Sequence, residues 1–347
     1  MKSGHSTSSK VTVASLLIAL GIIYGDIGTS PLYVMKFIIG TREISELLVY
    51  GGVSCVFWTL VFQTTFKYIT LTLMADNHGE GGIFSLYALV RRYGQGLVFS
   101  AMLGAATLLA DGMITPPISV ASAIEGLEKV VPDLPTVPLV IAIISLIFFF
   151  QRFGTQAVGK IFGPIMAVWF AMLLTLGFVQ ILHYPGIIEA LHPKYAVQLL
   201  TVYPNGFWLL GAVFLCTTGA EALYSDLGHC GKWNIRYTWI FVKIALVINY
   251  LGQTAWLLYH GDTTLAGRNP FYEIMPHWFL IPGILIATAA AIIASQALIS
   301  GSYTLISEAM SLNFWPRVGV RQPTELKGQI YLPSINALMW AGCVGVM

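Results

Sequence analysis

Gly21-Ile22-Ile23-Tyr24-Gly25-Asp26-Ile27-Gly28-Thr29-Ser30-Pro31-Leu32-Tyr33 lies inside an apolar run of residues 12–39. The run is long enough to cross a bilayer, which needs about 20 apolar residues. Yet Gly25, Gly28 and Pro31 oppose a continuous helix, and Pro31 lacks the N–H that would bond the carbonyl of Ile27. Thr29 and Ser30 place hydroxyls at the opening, and Asp26 places a carboxylate there. Broken backbone at membrane depth is tolerated only where it is buried in protein or lines a cavity. The stretch therefore predicts an integral-membrane helix interrupted for a purpose.

The rest of the chain supports that environment. Of 347 residues, 56% are hydrophobic and 10% charged, and mean hydropathy is +0.75. A soluble domain carries about 25% charged residues. This composition excludes a disordered chain, a disulfide scaffold and most soluble enzymes. The net charge of +2 gives no footprint for nucleic acid. Cys55, Cys216 and Cys343 lie in apolar runs and Cys230 near a predicted inner edge, so no disulfide framework is implied. Nine apolar runs are predicted, at 12–39, 47–75, 98–123, 136–151, 159–182, 206–228, 238–259, 279–306 and from Ile330 onward. The first is too long for a cleaved signal peptide and carries Asp26. The fourth is the shortest.

Lys and Arg in short loops set orientation. Thirteen of the 18 fall on one set of flanks, among them Lys10, Lys67, Arg91, Arg92, Lys232 and Lys327; Lys36, Arg42, Lys129, Lys194 and Arg268 fall on the other. The alternation predicts a cytoplasmic N-terminus over residues 1–11 and requires the short fourth span. Lys243, near an inner edge, can snorkel or pair with Asp226. The ninth span is still running at Met347, so further spans and a soluble domain are expected beyond it.

Three acids are predicted near the midplane. Asp26 is 14 residues into its span, roughly 21 Å at 1.5 Å per residue. Asp111 and Glu221 are 13 and 15 residues into the third and sixth spans. Their joint insertion cost is on the order of 8–10 kcal/mol. A structural ion pair would need a mid-span Lys or Arg, and none matches them. Pro116 and Pro117 follow Asp111 and predict a break there, with Thr115 and Ser119 on nearly the same face. Gly219, between Thr218 and Glu221, predicts a third break. Carboxylates, hydroxyls and freed carbonyls are hard oxygen ligands suited to an alkali cation. None of the seven histidines falls mid-span, and no transition-metal spacing is present.

The sharpest breaks are in spans one and six. Five spans is an odd offset, so the second unit enters from the opposite side. That is the pattern of a 5+5 inverted repeat with discontinuous helices at its site. Repeat one covers residues 12–182 and repeat two, incomplete in the ninth span, covers 206–347. Span eight can face span one in such an arrangement, which makes Ser295, Ser300 and Ser302 candidates of second rank beside simple small-residue packing.

Several stretches resemble one family. Gly21–Tyr33 is similar to the N-terminal signature of the potassium-uptake permeases (the KUP/HAK/KT family). Ala75-Asp-Asn-His-Gly-Glu-Gly-Gly82 resembles their first inner loop. Ile114–Glu128, Gly219–His229, Ile293–Gly301 and Gly328–Pro333 resemble the third, sixth, eighth and ninth spans, in order along the chain. The resemblance implies a plasma-membrane K⁺/H⁺ symporter on the amino-acid/polyamine-permease fold. It implies K⁺ binding by Asp26, Tyr33, Thr115, Ser119 and Thr218, and proton coupling by Glu221 with Asp111. Relatives carry Glu where this chain has Asp111. They also carry about twelve spans and a cytoplasmic domain linked to dimerisation. No cofactor is implied. A nucleotide regulator enters only through the resemblance, since nothing here reads as a phosphate cradle.

Other functions remain open from the residues alone. An amino-acid permease of the same architecture would offer a bare glycine-rich break to a substrate carboxylate, which Asp26 would repel. A channel would conduct without proton coupling. A membrane enzyme lacks a nucleophile–base constellation. The loop Asp76–Gly82 fits either a tight capped turn or an inner gate.

Overall fold

The computed structural model describes residues 11–77, 79–131, 134–153, 156–261, 263–322 and 330–347. Residues 1–10, His78 and 323–329 lie outside them, and with them most of the N-terminal segment, Lys327 and Gly328. The regular elements among the described residues are helices. Seven are long and apolar enough to cross a membrane: Glu46–Met74, Leu97–Lys129, Thr136–Phe153, Ile161–His183, Gly206–Ser225, Lys232–His260 and His277–Ser311. The first span is a bent pair, Val13–Ile23 and Gly25–Leu32, turned by 72°. The ninth run forms a shorter helix, Pro333–Val346. The short fourth run is a full 18-residue helix.

In chain order, α1 (Val13–Ile23), α2 (Gly25–Thr29) and α3 (Val34–Ile39) make span one. Span two starts as α4 (Glu46–Thr59), and α5 (Ile83–Val90) lies across the following loop. Spans three, four and five are α6 (Leu97–Ile124), α7 (Thr136–Phe150) and α8 (Gln156–His183). After α9 (Pro193–Val202), span six comprises α10 (Leu210–Phe214) and α11 (Ala222–Ser225), followed by α12 (Leu227–Cys230). Span seven is α13 (Lys232–His260); α14 (Pro270–Glu273) leads to span eight, α15 (Leu280–Ser311), and α16 (Pro333–Val346) ends the chain.

Close helix approach builds the centre. Helix α8 lies against both α1 and α13, α15 against α2 and α6, and α16 against α6. Glycines permit it: a Cβ on Gly163 would stand 2.4 Å from the Leu17 carbonyl oxygen, and one on Gly252 2.4 Å from Gly177 Cα. Small residues at such crossings let backbones touch, which is how helices associate where lipid removes the hydrophobic drive. Large apolar side chains such as Phe62, Phe99, Phe149 and Leu285 face outward, as lipid requires.

Polar contacts tie the span flanks together at two rims. One joins Lys36 to Glu125, Lys129 Nζ to Glu273 Oε1 (2.6 Å), and the Ile44 N–H to the Thr263 carbonyl (2.8 Å). Its members come from flanks assigned to one side. The opposite rim joins the Tyr224 hydroxyl to the Ala75 carbonyl (2.6 Å), Arg236 Nε to the Ile69 carbonyl (3.4 Å), and Ser15 Oγ to Asn234 Oδ1 (3.1 Å). Its members come from the other side. Each rim thus joins flanks that the Lys and Arg count puts in one group.

Two local expectations are corrected, and one feature is new. Helix α6 runs unbroken from Leu97 to Ile124 through Pro116 and Pro117. The Gly112 carbonyl, which Pro116 cannot serve, instead accepts Cys343 Sγ–H from α16 at 3.9 Å. Lys243 does not pair with Asp226; the ion pairs among the described residues are those of Lys36 and Lys129. Span two is not α-helical throughout, because Leu60–Leu71 winds as a π-helix. There the hydroxyls of Thr65, Thr70 and Thr72 each bond the carbonyl five residues back, at 3.1, 3.0 and 2.8 Å. Such winding is rare and usually a single turn.

Candidate functional site

The site begins with span one. Helix α1 stops at Tyr24 (φ −98°, ψ 12°), and α2 restarts at Gly25 on a new axis. A Cβ on Gly25 would lie 2.9 Å from Ala294 Cα, so the bend sits directly on span eight. Asp26 follows in the first turn of α2, 5% exposed. The chain tightens over Ser30–Leu32, is interrupted at Tyr33 (φ −134°, ψ −24°) and resumes as α3.

Span six breaks opposite. After α10 and a tight turn at Leu215–Thr217, Thr218 is extended (φ −54°, ψ 133°) and Gly219 takes φ +83°. That positive φ is open to glycine at no steric cost. A Cβ there would also stand 2.6 Å from Asp26 Cβ and 2.8 Å from its Oδ2. The two breaks therefore touch. Ser30 Oγ–H donates to the Leu215 carbonyl at 3.0 Å and ties the breaks together.

Span three delivers the third acid without breaking. Gly112 on α6 fits beneath Ser302 Oγ and Met339 Cε, at 2.8 and 2.9 Å from a notional Cβ. Asp111 is held by Thr115, whose Oγ1–H donates to Oδ1 at 2.7 Å. One carboxylate oxygen each from Asp26, Asp111 and Glu221 lies within 4.8 Å of the others. Both oxygens of Asp26 and Oδ2 of Asp111 are buried and accept no hydrogen bond among the described residues. Neither ion pair among those residues reaches the triad. Asp26 is buried while Asp111 and Glu221 are partly so, and carboxylates at this spacing repel one another, which a cation between them would relieve.

The remaining sequence candidates sit around this centre. Thr115 is bonded to it. Ser119 Oγ lies 3.5 Å from Thr29 Oγ1, and Thr29 Oγ1–H in turn donates to the Asp26 carbonyl at 2.9 Å. The Tyr33 hydroxyl is 3.4 Å from Ser30 Oγ, and Thr218 forms the span-six turn itself. In span eight, Ser295 and Ser302 donate back to the Ala291 and Leu298 carbonyls of their own helix, at 2.8 and 3.0 Å, as isolated hydroxyls in helices do.

Sequence reasoning missed three donors that serve the broken backbone. Trp169 Nε1–H bonds the Gly28 carbonyl at 3.0 Å, Gln253 Nε2–H the Pro31 carbonyl at 2.9 Å, and Asn269 Nδ2–H the Leu32 carbonyl at 2.8 Å. A polar side chain alone in an apolar span must find a partner, and that signal was available for Gln253 and Asn249, one turn apart.

Comparison with known proteins places this arrangement. A family profile described as the K⁺ potassium transporter integral membrane domain matches residues 13–347. A protein named "Probable potassium transport system protein Kup" from Flavobacterium johnsoniae is 60% identical over 357 residues, covering 100% of this chain and 54% of the relative. Proteins of the same name from Cytophaga hutchinsonii and Clostridium perfringens are 63% and 51% identical, covering 99% and 100% of this chain and 53% and 55% of themselves. The chain spans about half the length of the curated relatives it matches.

Proposed function

The chain belongs to the K⁺ potassium transporter family, whose members are transporters and not enzymes, and from that premise we propose that it carries potassium ions into the cell in symport with protons. The observation that carries this reading is the triad of Asp26, Asp111 and Glu221 with oxygens inside 4.8 Å and no ion pair to it among the described residues. A weakly hydrated monovalent cation exchanges its water for such oxygens at small cost, and the carboxylates repay it.

In this reading Asp26 supplies the charge that holds K⁺. Thr115, Ser119, Thr218 and Tyr33 supply dipoles around it. Glu221, with Asp111, takes a proton on the outer side and gives it up inside, which links the two ions. Spans one and six rock against the rest, and the 5+5 inverted repeat (residues 12–182 and 206–347) provides the symmetry for alternating access. The cytoplasmic N-terminus, the plasma-membrane location, contact with lipids and dimerisation through a cytoplasmic domain belong to the same proposal. So does regulation by a nucleotide. Amino-acid transport is disfavoured, because the Asp26 carboxylate, where the two breaks meet, would repel a substrate carboxylate.

The test is reconstitution of the intact protein in liposomes with K⁺ (or Rb⁺) uptake and internal pH followed together. Wild type acidifies the lumen only when K⁺ is supplied. Glu221→Gln is expected to keep cation binding and lose acidification. Full proton-coupled uptake by that variant would sink the assignment.

A further inference from the structure

Three side chains from three separate elements converge on the interrupted part of span one, and among the described residues none of them hydrogen-bonds a triad carboxylate. Pro31 has no N–H for the carbonyls three and four residues back, Gly28 and Ile27. The Trp169 indole on α8 stands in for it at Gly28, 3.0 Å away. Gln253 on α13 and Asn269 at the start of α14 do the same service at Pro31 and Leu32, at 2.9 and 2.8 Å, beside the interruption at Tyr33.

Each donor is itself held. Trp169 is fully buried with Phe271 5.7 Å away between ring centroids. Gln253 also donates to Asn249 Oδ1 (2.8 Å), and Asn249 donates to the Leu173 carbonyl on α8 (3.0 Å). Asn269 also donates to Glu125 Oε2 (2.9 Å) while its Oδ1 caps Phe271 N–H (3.1 Å). The carbonyls of Gly28, Pro31 and Leu32 are thereby engaged by amide and indole hydrogens. What faces the triad from span one is the Asp26 carboxylate and the Thr29 hydroxyl, at positions set by these struts.

We propose that Trp169, Gln253 and Asn269 are positioning residues that set which alkali cation the Asp26–Asp111–Glu221 site prefers. The inference rests on the cation-transport reading above. A cavity whose oxygens cannot relax around a smaller ion discriminates by size; one freed from its struts can collapse onto that ion. Loss of a strut also leaves a carbonyl unpaired and able to turn toward the ion.

The experiment uses the intact protein in liposomes and reads the ratio of Na⁺ to K⁺ inhibition constants against Rb⁺ uptake. This ratio is independent of how much protein inserts. The variants are Trp169→Phe, Gln253→Met and Asn269→Asp, each near the parent in shape but lacking the donor. Asn269→Asp keeps the acceptor that caps Phe271. Each is expected to move the ratio toward Na⁺ by about fivefold or more, the scale of one lost buried hydrogen bond. Trp340→Phe, which removes an indole bond to Ser145 Oγ (3.0 Å) at an exposed position, leaves the ratio unchanged. The proposal is overturned if the variants hold the wild-type ratio within about twofold, or if all three fail to fold, since the donors would then serve assembly alone. Absence of saturable Rb⁺ uptake by wild type would bring down the transport reading itself, a distinguishable result.

Discussion

Asp26 and Asp111 reach the same few ångströms by opposite routes. Asp26 sits on a span bent by 72°, and the breakage is made tolerable by Trp169, Gln253 and Asn269 drawn from elsewhere in the fold. Asp111 sits on α6, which carries two consecutive prolines and stays helical, helped by Thr115 at its carboxylate and Cys343 at the Gly112 carbonyl. Breaking a helix is therefore not needed to place an acid in an apolar interior. What the break adds is contact between two chain interruptions, Gly219 against Asp26, which an intact helix could not make. Span three is the continuous wall of the site; spans one and six are interrupted, and in the proposed transport reading they are the moving parts.

Substitutions can break that contrast or sharpen it. The largest effect is expected at Asp26. Asp26→Asn keeps size and removes the charge with no partner to compensate, so Rb⁺ affinity in the uptake assay is expected to fall about thirtyfold or more, roughly 2 kcal/mol. Retained affinity would mean the broken span is not where the ion is held. Thr115→Val tests the wall. It removes the 2.7 Å bond to Asp111 without changing shape, and is expected to cost about fivefold in affinity with little change in thermal stability. An effect as large as that at Asp26 would erase the distinction between wall and moving part. Cys343→Ala is expected to be the mildest, since a thiol is a weak donor. It should lower the melting temperature by no more than a few degrees, for a loss of about 1 kcal/mol or less, and leave uptake affinity unchanged.

The break in span one was legible because glycine and proline act locally: their effect on the backbone needs no knowledge of neighbours. The three acids were legible because a charge in an apolar run is costly wherever the run packs. The continuity of α6 was not, since the donor that relieves the Pro116 gap lies 231 residues away. The π-helix of span two was equally hidden; its threonines at 65 and 70 have the five-residue spacing of the observed bonds, but the apolar pattern around them is ordinary. Trp169 and Asn269 escaped because each is one residue with no motif around it; Gln253 and Asn249 stood out as polar residues in an apolar span, but the common task of the three donors appears only when spans five and seven and the loop before span eight are brought to span one.

The central claim is that an alkali cation is held between Asp26, Asp111 and Glu221. Anomalous scattering from the intact protein with Rb⁺ or Tl⁺ replacing K⁺ tests it most directly. The account predicts one peak in coordination range of Asp26, lost in Asp26→Asn and competed away by K⁺. A transport-competent preparation whose cation peaks all lie away from the three carboxylates would contradict it.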